Sequence, residues 1–269
     1  MRTSPLPVVA VVALLTLAGC VGLSATETTD ASLDASPDDF PNASAVDQSV
    51  FDTHAAALGN TSFTLTYEKT QKDRKLLDRE NFTYKNSTAL HFVEPDASQY
   101  LSKGSGYYLG ENVTTYSNGA TTYSMWWKDG EQTVKKVPAP VFDESSEKYL
   151  WGGWFGNTSG SQYPHAAIDA DFQREGIETF QGVPVMRYEA TGLDALADSW
   201  AGGENTSSFY EGFSATILID EDGVIRHYEY EIVWADSRTR KVATAFTLSD
   251  VGSTDVEKPD WVANATAGS

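Results

Sequence analysis

The stretch Ala215-Thr-Ile-Leu-Ile-Asp-Glu-Asp-Gly-Val-Ile-Arg226 lies at the centre of the pattern that decides the fold. Apolar and polar residues alternate on both sides of its acidic, glycine-containing turn, over 209–220 and 224–235, and again over 240–250. A period of two is typical of half-buried strands, and a short turn of this kind between two such runs is typical of a hairpin. The pattern therefore predicts three consecutive antiparallel strands near the C-terminal end of the chain.

The same period extends towards the N-terminus, so the sequence predicts a mainly β protein with a few helices (α+β). We expect one large antiparallel sheet of roughly ten or eleven strands, running as a meander and curled into an open half-barrel. Helical spacing over 46–58, and the composition of 143–154 and 193–200, predict helices that cover the concave face of this sheet.

The only cysteine in the chain, Cys20, follows a short apolar stretch near the N-terminus. The stretch 8–17 is too short to cross a bilayer, which takes roughly 20 residues, and the basic Arg2 before it is typical of a secretory signal. The run Leu17-Ala18-Gly19-Cys20 resembles the lipobox of prokaryotic lipoproteins. That resemblance implies a signal peptide over 1–19 and a lipid on the Cys20 sulfur, which would anchor the protein at the extracellular face of the cell membrane. The alternative is a plain signal peptide with an incidental cysteine.

The chain is strongly acidic, with 38 acidic and 19 basic residues and a formal net charge of −19. Such a surface repels nucleic acid, whose phosphates are met by Lys and Arg, so no nucleic-acid partner is expected. It favours a halophilic organism, in which salt of about 1 M screens charges beyond roughly 3 Å. An ordinary acidic protein is the alternative.

Asparagine occurs almost entirely in one sequence context. Of nine asparagines, all except Asn118 begin an Asn-x-Ser/Thr triplet. This excess predicts N-glycosylation on exposed loops, whereas clustering of turn-forming residues is the alternative. The candidate sites are Asn60, Asn81, Asn86, Asn112, Asn157 and Asn205, with further triplets at Asn42 and Asn264.

Composition divides the chain into four parts. After the signal peptide, residues 20–45 are acidic and small and contain no Lys or Arg. Such a segment cannot form a core, so we expect a lipidated, disordered tether. The β domain is predicted over 46–262, and residues 263–269 are expected to form a tail.

No catalytic or metal-binding motif stands out. The histidines, His54, His91, His165 and His227, do not have the spacing of metal ligands, and the chain has no nucleophile elbow or phosphate-binding glycine loop. Asp220-Glu-Asp-Gly223 begins like a calcium loop, but its glycine comes at the fourth position rather than the sixth. We therefore predict that the protein is not an enzyme and has no metal or cofactor.

Aromatic residues are numerous and fall at strand and loop positions that could line a groove. A curved sheet carrying them, with 151–155 as a mobile cover, would suit an apolar ligand. Packing within an ordinary core is the alternative. The candidate groove residues are Trp127, Trp151, Trp154, Phe155, Ile217, Ile219, Tyr228, Tyr230 and Trp234.

Two segments carry a resemblance to a known superfamily. Phe180-Gln-Gly-Val-Pro-Val-Met-Arg-Tyr188 and the stretch 215–226 resemble strand–turn–strand units of the LolA/LppX-type exported lipoproteins. The resemblance implies an unclosed antiparallel half-barrel, covered by helices and carrying a lipid or lipoprotein without catalysis. The combined lipobox, sequons and acidity resemble a cell-surface lipoprotein of a halophilic archaeon.

The expected function is therefore a membrane-anchored, non-enzymatic binder or carrier of a lipid or other hydrophobic molecule. The alternative is a structural glycoprotein of the cell envelope that contacts other envelope proteins and has no ligand cavity.

Overall fold

The computed structural model describes residues 35–41, 48–74, 82–93, 99–106, 110–128, 131–138, 170–196, 210–235 and 240–267. Residues Ala35–Ser269 form one compact unit. In the described ranges, the α-helices are α1 (Gln48–Gly59) and α2 (Asp260–Ala267). The strands there are β1 (Phe63–Arg74), β2 (Phe82–Val93), β3 (Tyr100–Gly106), β4 (Gly110–Ser117), β5 (Thr121–Lys128), β6 (Glu131–Pro138), β7 (Gln173–Phe180), β8 (Val183–Thr191), β9 (Tyr210–Asp220), β10 (Ile225–Trp234) and β11 (Arg240–Ser249).

All eleven described strands belong to one antiparallel sheet, in the order β6-β5-β4-β3-β2-β1-β11-β10-β9-β8-β7. The predicted fold class, mainly β with few helices and an antiparallel sheet of ten or eleven strands, is confirmed at this level. β6 and β7 lie at opposite ends of the order, so the described strands do not close into a barrel.

The strand order corrects one prediction, that of a single continuous meander. A meander would leave β1 and β11 at the edges, yet these two strands pair at the centre over ten residue pairs, from Thr64↔Ser249 to Asp73↔Arg240. Connections of seven residues or fewer join neighbouring strands within β1–β6, between β7 and β8, and within β9–β11, whereas residues 192–209 join β8 to β9. The long connection 139–172 imposes no such adjacency, and the first and last strands are free to pair.

The turns show why the short hairpins form. Gly119, Gly182 and Gly223 all have φ near +80°, a conformation that glycine adopts at little cost. The Asn118 side chain also accepts hydrogen bonds from the backbone N–H groups of Ala120 and Thr121. The predicted hairpin at 129–130 is confirmed by the pairing of the strands on either side of it, β5 and β6.

The two described helices lie on opposite faces of the sheet. Directly opposed residues in antiparallel strands point to the same face, so the register assigns each side chain. α1 packs with Leu65, Tyr228 and Phe246, on what we call the α1 face. α2 packs through Val262 with side chains of β3, β4 and β5 on the other face, the α2 face. The expectation that helices together cover one concave face is not confirmed, and the predicted helix 143–154 lies outside the described residues.

The structure differs from two other predictions, a helix over 193–200 and a tail over 263–269. Over 193–200 the described part is only a 3-10 turn, Leu193–Ala195, which Leu196 ends by adopting extended backbone. Residues 263–269 were expected to be a tail, but α2 extends through most of them. Pro259 and Asp260 are typical of a helix start, and that signal was present in the sequence.

Residues 35–41 pack onto the domain. They contain a 3-10 helix, Pro37–Asp39, with a capping box at Ser36, and the Phe40 side chain is buried in the core. The Tyr188 hydroxyl donates a hydrogen bond of 2.7 Å to the Pro41 carbonyl. The composition of 20–45 had predicted a disordered tether throughout, so the ordered domain begins earlier than expected.

Candidate functional site

The structure separates the predicted groove residues into three groups. Ile217, Ile219, Tyr228 and Tyr230 lie on the α1 face and belong to its core cluster. Trp234 lies at the far end of the same face and is half-buried against Tyr210, with ring centroids 5.5 Å apart.

Trp127 does not lie on the α1 face with these groove candidates. The register from β4 to β5 pairs Tyr116 with Tyr123 and so places Trp127 on the α2 face, where its side chain is 46% exposed. Trp151, Trp154 and Phe155 lie outside the described residues.

One end of the α1 face is sealed by α1. His54 is fully buried, its ring lies 6.3 Å from that of Phe246, and its Nδ1 accepts a hydrogen bond of 3.0 Å from the Ile225 N–H. Burial, together with the charge of Arg226, lowers the pKa of His54 to about 3. The imidazole is therefore neutral at physiological pH and acts as a structural acceptor, not as a proton donor.

The β9–β10 turn is held under α1 by a buried ion pair. Asp220 Oδ2 lies 2.6 Å from Nε of Arg226, and Oδ1 accepts from the backbone N–H groups of Asp222 and Val224. A Cβ on Gly223 would lie 2.8 Å from Cγ2 of Thr53, so the turn touches the helix closely. Asp220 thus works as a turn cap, which agrees with the hairpin interpretation and not with a calcium loop.

Beyond α1, the same face carries a polar row across three strands. The register aligns Lys69 of β1, Thr244 of β11 and Tyr230 of β10. Burial lowers the pKa of Lys69 and raises the pKa of Tyr230 to about 12, because each charged form loses hydration. The Thr244 hydroxyl is buried beside the Tyr230 hydroxyl, close enough to interact with it and to lower its pKa slightly, but it makes no hydrogen bond of standard geometry within the described residues.

The polar row lies between small and large apolar side chains. On one side the row continues through Ala215 and Ala190, which are buried in the core cluster. The next row towards the far end holds Phe213, Ile232 and Val242. All three are buried, but Ile232 and Val242 are not among the residues of the described core cluster around α1.

The opposite surface of these central strands holds a shallow pocket of about 240 Å³. Its acidic lining comes from Glu68, Glu229 and Glu231, between small alanine, serine and threonine side chains. Lys241 Nζ lies 2.5 Å from the carboxylate of Glu231. The imidazole of His227, with Nε2 3.6 Å from Glu229 Oε2, lowers the pKa of that carboxyl. This pocket is charged and solvated, so it does not suit an apolar ligand.

A hydroxyl, an imidazole and a carboxylate lie in line beside that pocket. His227 Nδ1 is 2.9 Å from the Thr247 hydroxyl, and its Nε2 faces Glu229. Acyl-transfer chemistry would also need free N–H donors to stabilise an oxyanion. β10 and β11 are central strands with partners on both sides, so their amides belong to the sheet ladders.

Within the described residues, no group of three or more His, Cys, Asp or Glu side chains could hold a metal ion.

The predicted modification sites are only partly described. Cys20, Asn81, Asn157 and Asn205 lie outside the described residues. Asn60 is exposed directly after α1. Asn86 and Asn112 lie within strands β2 and β4, not in the loops that the sequence analysis expected. No described helix is long and apolar enough to cross a membrane.

Sequence reasoning missed the polar row, although a signal for it existed. Lys69 follows Leu65 and Tyr67 at intervals of two residues in β1, so strand alternation already placed it on the apolar side. A lysine in phase with core residues is unusual and marks a position worth testing.

The comparisons with known proteins give a family and a set of similar folds. The model of a family of unknown function, DUF7537, matches residues 5–265, so the chain belongs to that family. No curated protein sequence is detectably similar to it.

Three solved structures are among those found to be similar to this chain. The lipoprotein LppX of Mycobacterium tuberculosis is 14% identical, with 78% of this chain and 97% of that chain covered and a TM-score of 0.36. LprF from Mycobacterium bovis is 13% identical, with coverage of 84% and 97% and a TM-score of 0.37. An outer-membrane lipoprotein-sorting protein domain from Vibrio parahaemolyticus is 11% identical, with coverage of 81% and 96% and a TM-score of 0.26. LppX is one of the two proteins after which the LolA/LppX-type superfamily is named. At these TM-scores, no ligand and no residue role is carried over from any of the three structures to this chain.

Proposed function

We propose that this member of the family is an extracytoplasmic lipoprotein, anchored through Cys20, that binds an amphiphilic lipid on the α1 face without catalysing a reaction. The observation that carries the proposal is the polar row of Lys69, Thr244 and Tyr230, which lies among the buried apolar side chains that β9, β10 and β11 place on the α1 face. An amphiphile presents the same two chemistries, a long apolar chain and a compact polar head.

The apolar part of the ligand would lie along the row of Phe213, Ile232 and Val242, towards the half-exposed ring of Trp234. Binding sites of this kind are mostly apolar with a few convergent polar groups that fix orientation. Each methylene removed from water contributes about 0.8 kcal/mol, so most of a long acyl chain would have to be buried to offset the cost of association.

The polar head would meet Lys69 and Thr244. A buried hydroxyl without a good partner costs about 1 to 3 kcal/mol, and a ligand oxygen would recover part of that cost. Lys69 already loses hydration in the folded protein, so an anionic head would stabilise its charged form. We therefore propose an anionic amphiphile as the ligand class.

The test is direct binding of two matched probes, palmitate and hexadecanol, to the chain from residue 20 with Cys20→Ser. Lys69→Gln should weaken palmitate binding about tenfold, the loss expected of one hydrogen bond to a charged group, and leave hexadecanol binding unchanged. Trp234→Ala should weaken both probes. Val233→Ala, on the opposite face of β10, is the matched control and should change neither.

The alternative, an envelope glycoprotein without a ligand cavity, is favoured by the complete burial of Ile217 and Ile219. In the far half of the α1 face, Phe213, Ile232 and Val242 are buried as well, which also favours this alternative. If neither probe binds, and native mass spectrometry of gently extracted protein shows no lipid adduct beyond the anchor, this alternative replaces the carrier proposal.

A further inference from the structure

The hairpin of β5 and β6 carries the most exposed apolar surface of the described residues. Trp127 is 46% exposed and Val134 is 38% exposed, and these are the large hydrophobic side chains that stand out in this respect. Along the α2 face the register continues them through Met125, which pairs with Val134, to Tyr123 in the cluster beneath α2. The apolar surface that α2 covers thus continues past the helix into solvent.

The same hairpin carries a local positive charge in a strongly negative protein. Lys135 and Lys136 are neighbours on β6, and the Lys136 ammonium lies 5.8 Å from the ring centre of Tyr123. Residues 131–136 are all exposed, although alternate side chains point to opposite faces. Among the described residues of β6, the acidic residue is Glu131. By register, Lys136 lies on the α2 face with Trp127 and Val134, whereas Lys135 lies on the α1 face, from which its long side chain would have to reach around β6, the last described strand.

From this juxtaposition we propose that the β5–β6 hairpin is a membrane contact, with Trp127 and Val134 entering the interface of an anionic bilayer and Lys135 and Lys136 pairing with its headgroups. Tryptophan prefers the membrane–water interface because its ring is apolar and its N–H is polar. Lysines close to an anionic leaflet are attracted within about one Debye length. The acidic remainder of the protein lies mostly farther away than that, so its repulsion is screened.

The length of the chain outside the described domain allows this contact. Residues 21–34, fully extended, reach at most roughly 50 Å. That is close to the width of eleven strands spaced about 4.8 Å apart. Residues 35–41 contact β7 and β8 through Arg174 and Tyr188, at the end of the strand order opposite to β6. An anchor at Cys20 therefore permits β6 to meet the bilayer when residues 21–34 are close to fully extended.

Two other occupants of the surface fit less well. A second copy adding a strand to β6 would bring Lys135 and Lys136 against their own equivalents, and edge lysines oppose such pairing. An acidic protein partner would suit the lysines but would leave Trp127 and Val134 without apolar contacts. The membrane interface satisfies both chemistries together.

The test is co-sedimentation of the chain from residue 20, with Cys20→Ser, on phosphatidylglycerol vesicles and on phosphatidylcholine vesicles. Removing the lipid isolates the hairpin's own contribution. The salt concentration is the lowest at which circular dichroism shows the native fold. We expect binding to phosphatidylglycerol and much weaker binding to phosphatidylcholine.

Three variants test whether the β5–β6 hairpin is what binds the vesicles. Lys135→Gln with Lys136→Gln should weaken binding to phosphatidylglycerol roughly 25-fold, about fivefold for each lysine near the surface. Trp127→Ala should weaken it about tenfold through lost apolar burial. Lys241→Gln with Lys258→Gln changes the net charge equally at exposed sites outside the hairpin and should have little effect.

The proposal is overturned if the protein does not bind phosphatidylglycerol, or if the control pair weakens binding as much as the hairpin pair. It is also overturned if the hairpin variants abolish a concentration-dependent dimer without changing vesicle binding, since β6 would then pair with a second copy. All three variants leave Lys69, Thr244 and Tyr230 untouched, so palmitate binding should not change, and failure here is distinguishable from failure of the carrier proposal.

Discussion

Replacing Asp220 by alanine tests whether the β9–β10 turn is what holds α1 on the sheet. The carboxylate is almost completely buried and forms a charged pair of 2.6 Å with Arg226, whose side chain is 15% exposed. It also accepts two backbone hydrogen bonds, of 3.1 Å from Asp222 and 2.8 Å from Val224. Alanine removes all three interactions and leaves a guanidinium without a counter-charge.

The expected loss follows from these contacts. Removing one partner of a buried ion pair costs about 3 to 5 kcal/mol, because the remaining charge stays poorly hydrated. For a domain of this size, each kcal/mol lowers the melting temperature by roughly 2 to 4 °C, so the variant should melt about 6 to 20 °C lower. Chemical denaturation at fixed salt measures the free energy of unfolding directly, provided that the transition is two-state.

Two further substitutions make the result interpretable. Glu189→Ala breaks an ion pair with Arg187 in which both side chains are about one-third exposed, and exposed pairs contribute at most about 1 kcal/mol. A double-mutant cycle of Asp220→Ala and Arg226→Gln should give a coupling free energy above roughly 1.5 kcal/mol. A loss below about 1 kcal/mol for Asp220→Ala, equal to that of the exposed control, would refute the claim that this turn is a stabilising lock.

Three further outcomes follow from the same region. Gly223→Ala should destabilise by about 1 kcal/mol more than Gly182→Ala, because both glycines have positive φ but only the first would place a Cβ against α1, and urea unfolding of the two variants measures the difference. As the pH falls from 6.5 towards 3, the unfolded chain protonates at His54 before the native state does, so the free energy of unfolding should fall by roughly 3 to 5 kcal/mol in that window. His54→Gln should flatten this part of the stability–pH curve. An unchanged curve would contradict the conclusion that His54 is buried in its neutral form. Tyr188→Phe should remove one hydrogen bond worth about 1 kcal/mol, and limited proteolysis should then cut within 35–41 faster than in the native protein.

Local patterns predicted much of the sheet. The period of two between 209 and 250 locates β9, β10 and β11 within a few residues, and the turn over 220–223 was identified correctly. β3 was not identified, because Ser102, Gly104 and Gly106 interrupt the apolar alternation that marks a strand. Its pairing with β2 and β4, which no local signal encodes, is what makes it a strand.

The pairing of β1 with β11 also could not be predicted from the sequence. It joins residues that are far apart in the chain, and it follows from which edges remain after the hairpins have formed. The structural role of His54 could not be predicted for the same reason, since it depends on a contact between residues far apart in the chain. The residue is on the helix predicted from 46–58, but its partner, the Ile225 N–H, comes from a turn far along the chain.

The opposite placement of α1 and α2 restricts where a ligand could bind. On the α2 face the described apolar cluster of β3, β4 and β5 is covered by Val262 and its neighbours, and the central strands carry the acidic pocket instead. On the α1 face, α1 fills the end next to His54, where a ligand would have to displace core side chains at several kcal/mol. The site proposed above for an apolar chain is the far half, between the polar row and Trp234. That position predicts that a ligand stabilises β10 and β11 more than α1, so hydrogen exchange with palmitate bound should slow at the amides of 230–234 and leave those of 50–58 unchanged. Protection confined to 50–58 would place the ligand at the wrong end of the sheet and exclude Lys69 as the residue that holds its head.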